Sequence, residues 1–310
     1  TPKTPKPTPP QPTSTPAQAS SVPSTLPIFR EPASKSWYDS RKDKKLVVEV
    51  DFSEEIDAIY DLTATFAQYQ WERLLDLGDE YYPDLVLQFY ANILYKHRVD
   101  DKIETRVNNS NLILTTAILG NFLGCETDGM VVTQEMKDGR PCIMCEPQWN
   151  RDEAAKKFGL EQLTIRPGTR KVAIPAREFD ISARLVGYLI QKNVFPRQSD
   201  SGNFRVLDLY MLDKLFFGLQ GSEAINLPAS IIQSMRGVVD TVQLKTVLKH
   251  PLLISRLIEF LGVPTEGVKK LKTKQYHHLD DQKMISMQYE LFEGTWRLKQ
   301  GTSAPQPRPT

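Results

Sequence analysis

The clearest helical pattern in the chain begins at Pro83. Apolar side chains follow it in pairs that lie four residues apart, namely Leu85 and Val86, Phe89 and Tyr90, and Ile93 and Leu94. This spacing gives a helix one apolar stripe, and proline suits the first helical position because its missing N–H would have no partner there. The pattern predicts an amphipathic helix that starts at Pro83.

Other segments combine the same period with residues that start or stop helices. Ser, Thr, Asn and Asp accept hydrogen bonds from the free N–H groups of a first turn, and glycine or proline commonly ends a helix. These signals predict helices over 53–66, 115–124, 150–158, 179–195, 206–219, 251–262 and 280–299, and another that starts at Pro228. The 206–219 segment is apolar on nearly every side, so we expect it at the centre of the core.

Two segments are typical of small β-hairpins. Residues 103–114 are rich in β-branched side chains around Asn108–Asn111, and residues 130–146 alternate around Asp138-Gly139, a dipeptide favoured in tight turns. No repeat of fixed period connects these elements. The expected fold class is therefore mainly α, a multi-helix globular domain with one or two small β-hairpins.

Proline content divides the chain into three parts. Ten of the 22 prolines lie within the first 36 residues, where Thr, Ser, Ala and Gln make up most of the rest. Such a segment buries too little apolar surface to offset the entropy lost on ordering. We expect a disordered leader over 1–36, a helical domain over 37–299 and a disordered tail over 300–310. Because the chain begins without Met, we also expect it to be part of a longer reading frame.

Charge and cysteine content narrow the class of protein. Lys+Arg 39 against Asp+Glu 38 gives a net charge of +1, which excludes the strongly basic balance of a domain that binds nucleic acid over its whole surface. The three cysteines are too few for the disulfide framework of a small secreted domain. No apolar run approaches the ~18 to 20 residues that a membrane span needs. We expect a soluble intracellular protein, in either the nucleus or the cytoplasm.

The candidate metal ligands are few. Cys142 and Cys145 have the spacing of a metal knuckle or a redox dithiol, but no second pair accompanies them, and only Cys125 with a histidine could complete a set. His277 and His278 precede Asp280 and Asp281, yet adjacent residues usually point in different directions, and Asp280 suits a helix N-cap. We favour structural thiols and loop histidines, so the sequence predicts no cofactor and no metal.

No catalytic motif is present. Glycine-rich phosphate loops, HExxH and Ser-His-Asp constellations are missing from the sequence, and His97 and His250 stand alone. Asp180, Asp208 and Asp213 could be nominated as a two-metal nuclease site, but carboxylates on helices are usually solvated or act as caps. The sequence therefore supplies no catalytic residue.

Two local runs of positive charge are candidates for contacts with nucleic acid. The first run contains Arg41, Lys42, Lys44 and Lys45, and the second contains Lys269, Lys270, Lys272 and Lys274. Clustered lysines bind phosphates without base specificity, although short basic runs are more often just solvated edges.

Several motifs resemble those of a protein domain family that is encoded in plant genomes and known as the plant transposon protein domain. They are Trp71-Glu72-Arg73, then YPDLVLQFYAN at 82–92, VNNSNLILTTAILGNFLG at 107–124, and a run of four motifs from ARLVGYLIQKNVFPR to LLISRLIEFLGV over 183–263. The resemblance implies an origin in a retrotransposon-derived reading frame. It implies no catalytic residues.

These observations favour a non-catalytic module that binds a protein partner or assembles with itself. Two alternatives stay open, a nucleic-acid-binding protein of a retrotransposon and, with less support, a metal-dependent transposition enzyme.

Overall fold

The computed structural model describes residues 27–299 except for nine gaps, at 45, 94–101, 138–139, 145–147, 162, 166–171, 198–201, 219–223 and 241–246. Helices predominate in this part of the chain. They are α1 (Pro32–Asp39), α2 (Glu54–Tyr60), α3 (Leu62–Ala67), α4 (Pro83–Ala91), α5 (Thr116–Leu123), α6 (Arg151–Lys157), α7 (Ile181–Leu189), α8 (Val206–Phe217), α9 (Leu227–Asp240), α10 (Pro251–Phe260) and α11 (Asp281–Ser286).

Short strands lie between the helices and pair in small sheets. They are β1 (Asp51–Phe52), β2 (Glu80–Tyr81), β3 (Lys102–Val107), β4 (Ser110–Thr115), β5 (Thr133–Lys137), β6 (Arg140–Met144), β7 (Thr164–Ile165), β8 (Val172–Pro175), β9 (Asn203–Phe204), β10 (Leu271–Lys272), β11 (His278–Leu279), β12 (Tyr289–Phe292) and β13 (Thr295–Leu298). The hairpins are β3–β4, β5–β6 and β12–β13, and β7–β8–β9 form a three-stranded sheet. β structure is thus more frequent than the one or two hairpins that were expected.

Helix α8 lies at the centre of the core, as its sequence predicts. Every residue from Leu207 to Leu215 is buried, including the charged residues Asp208, Asp213 and Lys214. A helix that is apolar nearly all round can satisfy its side chains only when other elements cover every face. Helices α6 and α7 and strand β9 pack against it.

The caps predicted at Ser53, Thr115 and Asn150 are in place, and Asp180 is a further cap that was not predicted. The side-chain oxygens of Ser53, Thr115, Asn150 and Asp180 accept backbone N–H groups at the starts of α2, α5, α6 and α7. Gly124 closes α5 with a φ of 73°, a left-handed conformation that glycine adopts without steric cost. Proline begins α4 and α10, as predicted.

Two predicted helices are interrupted. The helix expected over 53–66 breaks at Asp61, whose φ of 50° separates α2 from α3. The helix expected over 179–195 ends at Leu189 and continues as a π-helical turn over Ile190–Val194. In that turn the buried Asn193 accepts the Val50 N–H at 3.0 Å and donates to the Val50 carbonyl at 2.7 Å. The π-helical turn therefore places the Asn193 amide against the backbone of Val50 in the N-terminal segment.

The predicted helix over 280–299 is wrong beyond Ser286. Asp280 does cap α11, where its carboxylate accepts the Lys283 N–H at 2.8 Å, but β12 and β13 follow and form a hairpin. Its two-residue turn has positive φ at Glu293 (49°) and Gly294 (75°). Turns of this kind match the twist of paired strands. Tyr289 and Trp296 are buried beneath this hairpin.

Several expectations lie outside the described residues. They concern residues 1–26 of the leader, the 138–139 turn, His97 and the tail over 300–310. Helix α1 begins at Pro32 and so crosses the expected domain boundary at residue 37.

In the described part of the chain, every helix is too short or too polar to traverse a bilayer.

A buried carboxyl joins two segments that are distant in sequence. Glu49 is 1% exposed, and its two oxygens accept the backbone N–H groups of Leu252 and Leu253, each at 3.0 Å. The first N–H groups of a helix have no partner within the helix, so Glu49 satisfies two donors at the start of α10.

We expect Glu49→Ala to lower the free energy of unfolding by about 2 to 4 kcal/mol, because it leaves two buried donors without an acceptor. Glu49→Gln keeps one carbonyl oxygen and should cost less. Urea denaturation of the three proteins measures the difference. An alanine variant as stable as wild type would contradict this account of α10.

A glycine pair tests the corrected hairpin. A Cβ at Gly294 or at Gly237 would meet no atom within 4 Å, but Gly294 has a φ of 75° whereas Gly237 lies within α9. We expect Gly294→Ala to cost about 1 kcal/mol of stability through backbone strain. Gly237→Ala should instead stabilise by up to about 1 kcal/mol through helix propensity. Thermal unfolding checks both signs, and equal shifts would contradict the positive-φ turn.

Candidate functional site

A polar cavity of about 210 Å³ lies beside the first turn of α8 and one face of α9. Polar and charged side chains dominate its lining, and they come from four parts of the chain: Thr133, Arg205, Ser230, Gln233, Ser234 and Lys249. The cavity thus combines hydroxyl, amide and cationic groups at one wall.

The backbone on either side of Lys249 is fixed by distant residues. Val47 donates its N–H to the Leu248 carbonyl at 2.8 Å, and the Tyr90 hydroxyl donates to the Lys249 carbonyl at 2.9 Å. His250 then takes a left-handed φ of 54° immediately before Pro251 starts α10. These constraints direct the Lys249 side chain into the cavity, where its ammonium donates to the Ser234 hydroxyl at 3.1 Å.

Burial and a neighbouring cation act together on Lys249. Desolvation, with a contribution from Arg205, lowers the pKa of the Lys249 ammonium to about 8. The Arg205 guanidinium is in turn held by Asp208, with Nη2 2.6 Å from Oδ1. Arg197 also contacts Asp208, at 3.2 Å. The ammonium form of Lys249 still predominates at neutral pH.

Behind Lys249 lies a second pair of buried titratable groups. Burial raises the pKa of Glu49 to about 7 and lowers the pKa of His250 well below its ordinary value, with Lys249 as a further cause for His250. The His250 Nδ1 lies 4.0 Å from a Glu49 oxygen, and neither ring nitrogen has a hydrogen-bond partner among the described residues. Both shifts favour uncharged forms, which is what a water-free site requires.

The basic run at 269–274 faces carboxylates. Strand β10 pairs with β2, which places Lys270 at 3.5 Å from both Glu80 and Glu259, and Lys272 at 3.5 Å from Asp79. The Lys270 ammonium also lies 5.0 Å from the centre of the Tyr82 ring. Lys269 and Lys274 are exposed. Acidic side chains thus neutralise Lys270 and Lys272.

The basic residues of the 41–45 run differ in solvent exposure. Arg41 is buried, with its guanidinium 4.4 Å from the centre of the Trp37 ring, whereas Lys42 and Lys44 are exposed. Lys45 lies outside the described residues.

The sulfur and histidine candidates do not form a described metal site. Cys145 lies outside the described residues, as does the side chain of Cys142 on β6. Cys125 is partly buried, and burial raises the pKa of its thiol to about 11. His278 binds Asp51 through Nδ1 at 2.7 Å, and His277 is half-buried in the preceding turn. Where side chains are described, no three His, Cys, Asp or Glu residues gather as metal ligands.

The three nominated carboxylates have separate structural roles. Asp180 caps α7, Asp208 binds Arg205 and Arg197, and Asp213 accepts from Lys157 at 2.8 Å and from the Trp149 indole at 2.9 Å. Asp208 accepts the Arg205 backbone N–H at 2.8 Å and so has the capping role that was one of the two expectations, whereas neither Asp208 nor Asp213 is solvated, at 0% and 5% exposure. Their partners satisfy them inside the core.

Sequence reasoning missed Lys249 and Glu49. Lys249 stands beside His250-Pro251, a possible helix start, but nothing in its neighbourhood indicates a cavity. Glu49 lies in the apolar run Leu46-Val47-Val48-Glu49-Val50, and a lone carboxylate there is the one signal of a buried acceptor.

Comparison with known proteins agrees with the sequence motifs. Residues 67–264 match the model of the family described as "Putative plant retrotransposon-related domain". That range encloses the motifs from Trp71 to Val263, so the resemblance is confirmed. No curated protein and no solved structure matches the chain at a significant level. Since the family match extends over more than half of the sequence, the chain belongs to the plant retrotransposon-related domain family.

Proposed function

We propose that this domain is a non-catalytic assembly module that pairs with a second copy of itself along strand β12. The observation that carries the proposal is the concentration of exposed apolar side chains near the C-terminal hairpin. Ten large apolar residues of the described chain are exposed, and four of these lie within 281–298: Ile285, Leu291, Phe292 and Leu298.

The two faces of the hairpin differ. Cross-strand pairing places Leu291 opposite Trp296 and Leu298 opposite Tyr289, so these four share one face. Tyr289 and Trp296 are buried, while Leu291 and Leu298 are 54% and 39% exposed. Tyr289 and Trp296 therefore pack this face against the core, and Leu291 and Leu298 remain as exposed apolar side chains beside them.

The hydrogen-bond pattern identifies the open edge. Lys299 donates to the Gln288 carbonyl at 3.0 Å, and Phe292 pairs with Thr295 next to the two-residue turn. Because bonded and non-bonded pairs alternate along an antiparallel ladder, Tyr289 and Leu291 direct their N–H and C=O groups away from β13, but Tyr289 is fully buried, so only Leu291 presents these groups at an exposed edge. No described strand pairs with that side of β12. An open edge beside apolar side chains favours addition of a further strand.

Charge favours a second copy as the added strand. Arg297 binds Glu290 at 2.9 Å, so the outer face of the hairpin carries one positive and one negative group. A two-fold axis beside β12 would bring two identical edges together in antiparallel orientation. With the axis at Leu291, Glu290 lies opposite Phe292 of the second copy, so the two Glu290 carboxylates do not face each other.

Leu291→Lys tests the assembly proposal. A charge on the exposed rim of β12 should shift a concentration-dependent dimer to monomer, because edge lysines oppose strand addition. Size-exclusion chromatography with light scattering measures the mass. Ile113→Lys is the matched control, since Ile113 is 52% exposed on the β3–β4 hairpin. A wild-type protein that is monomeric at its highest soluble concentration contradicts the proposal, as does equal loss of dimer in both variants.

Nucleic-acid binding by the 269–274 run is a second proposal, supported by the exposure of Lys269 and Lys274. If that run contacts phosphates, Asp79→Asn with Glu80→Gln should strengthen binding, because the change removes one carboxylate beside Lys270 and the carboxylate nearest Lys272 and leaves Glu259 beside Lys270. The control is Glu54→Gln with Glu55→Gln, which removes the same number of negative charges at another exposed site. Retention of DNA and RNA is measured over a salt series, since phosphate contacts weaken steeply with salt. Equal retention of both double variants would remove this proposal.

A further inference from the structure

We propose that the cavity beside α8 and α9 binds a phosphate-class oxyanion, with the Lys249 ammonium as its charged ligand and the Ser234 hydroxyl as a neighbouring donor. The inference is independent of assembly through β12. It depends on the charges, donors and size of the cavity.

The Lys249 ammonium is a cation at the cavity wall whose described partner is a hydroxyl, Ser234, and not a carboxylate. Asp208 accepts from Arg205 and from Arg197, at 2.6 and 3.2 Å, so one carboxylate already serves two cations. Lys249 adds a third cation, and no described carboxylate pairs with it. Arg205 acts on Lys249 as a neighbouring positive charge. A partly dehydrated ammonium in a positive field is stabilised when an anion enters.

The uncharged donors are arranged around the same space. Ser234 accepts from Lys249, which leaves its own O–H available to donate. Gln233 and Thr133 line the cavity with an amide and a hydroxyl. Ser230 differs, because it accepts from the Val132 N–H and donates to the Asn226 carbonyl. Its hydroxyl therefore holds β5 against α9, and we assign the anion to Lys249, Ser234, Gln233 and Thr133.

The size of the cavity restricts the ligand. Its volume is about 210 Å³. Pockets for drug-sized molecules start at roughly 300 Å³, and each water molecule occupies about 30 Å³ of liquid. A phosphoryl group with a few waters fits, whereas a whole nucleotide does not. The oxyanion is thus either free phosphate or a terminal phosphate whose remaining atoms lie outside the cavity.

Titration calorimetry with inorganic phosphate, at an ionic strength held constant with chloride, tests the assignment. We expect saturable binding to wild type and loss of that binding in Lys249→Met. Lys269→Met, at an exposed lysine outside the cavity, should bind phosphate as wild type does. Ser234→Ala keeps the charge and removes one donor to a charged group, so it should weaken affinity about tenfold. That variant keeps the test valid if Lys249→Met fails to fold.

A pair of oligonucleotides and acetate distinguish the source of the oxyanion and its chemical class. An oligonucleotide with a 5′-phosphate that binds more tightly than the same oligonucleotide with a 5′-hydroxyl would assign the anion to a nucleic-acid end, and equal binding would assign it to free phosphate. Acetate should bind more weakly than phosphate. The proposal is overturned if wild type takes up no phosphate, if Lys249→Met binds phosphate as wild type does, or if acetate binds equally well.

Discussion

The fold depends on one carboxyl group that water does not reach. Glu49 lies 203 residues before the Leu252 N–H that it accepts, and it also accepts the next N–H along α10. Removing a carboxyl from water costs several kcal/mol unless donors replace the solvent, and the unpaired start of a helix provides two donors. This contact holds the N-terminal segment against α10. It also fixes the chain just before Pro251, where Lys249 enters its cavity and His250 takes its left-handed conformation.

Other contacts connect the same two regions, and some lie beyond the family match. Asn193 holds both backbone groups of Val50, and β1 pairs in parallel with β11, with Asp51 opposite His278. Glu49 and β1 precede residue 67, and β11 follows residue 264, so the folded unit extends past both ends of the matched range. The matched range alone would contain α10 without the carboxyl that satisfies its first turn. The flanking residues therefore belong to the same structure as the family core.

The sequence predicts local elements better than their arrangement. Pro83, Thr115, Gly124 and Pro251 each mark a helix boundary where the structure has one, because caps and prolines act over a single turn. The hairpin over 289–298 was not predicted, because Tyr289, Phe292 and Trp296 also fit a helical period and the Glu293-Gly294 turn is the one local signal of a hairpin. The break at Asp61 and the π-helical turn had no local signal. The candidate site was missed altogether, because Lys249 acquires its surroundings only from segments distant in sequence.

Clusters of charge in the sequence differ here from clusters of charge in space. The lysines at 269–274 are adjacent along the chain, yet β2 and α10 place carboxylates against Lys270 and Lys272, and the exposed pairs are screened by solvent. Lys249 has no Lys or Arg directly beside it in the sequence, but the fold brings it near Arg205. Its ammonium is less hydrated, so each nearby charge acts on it more strongly. The proposed anion site therefore depends on desolvation and tertiary packing, which the number of lysines in a segment does not measure.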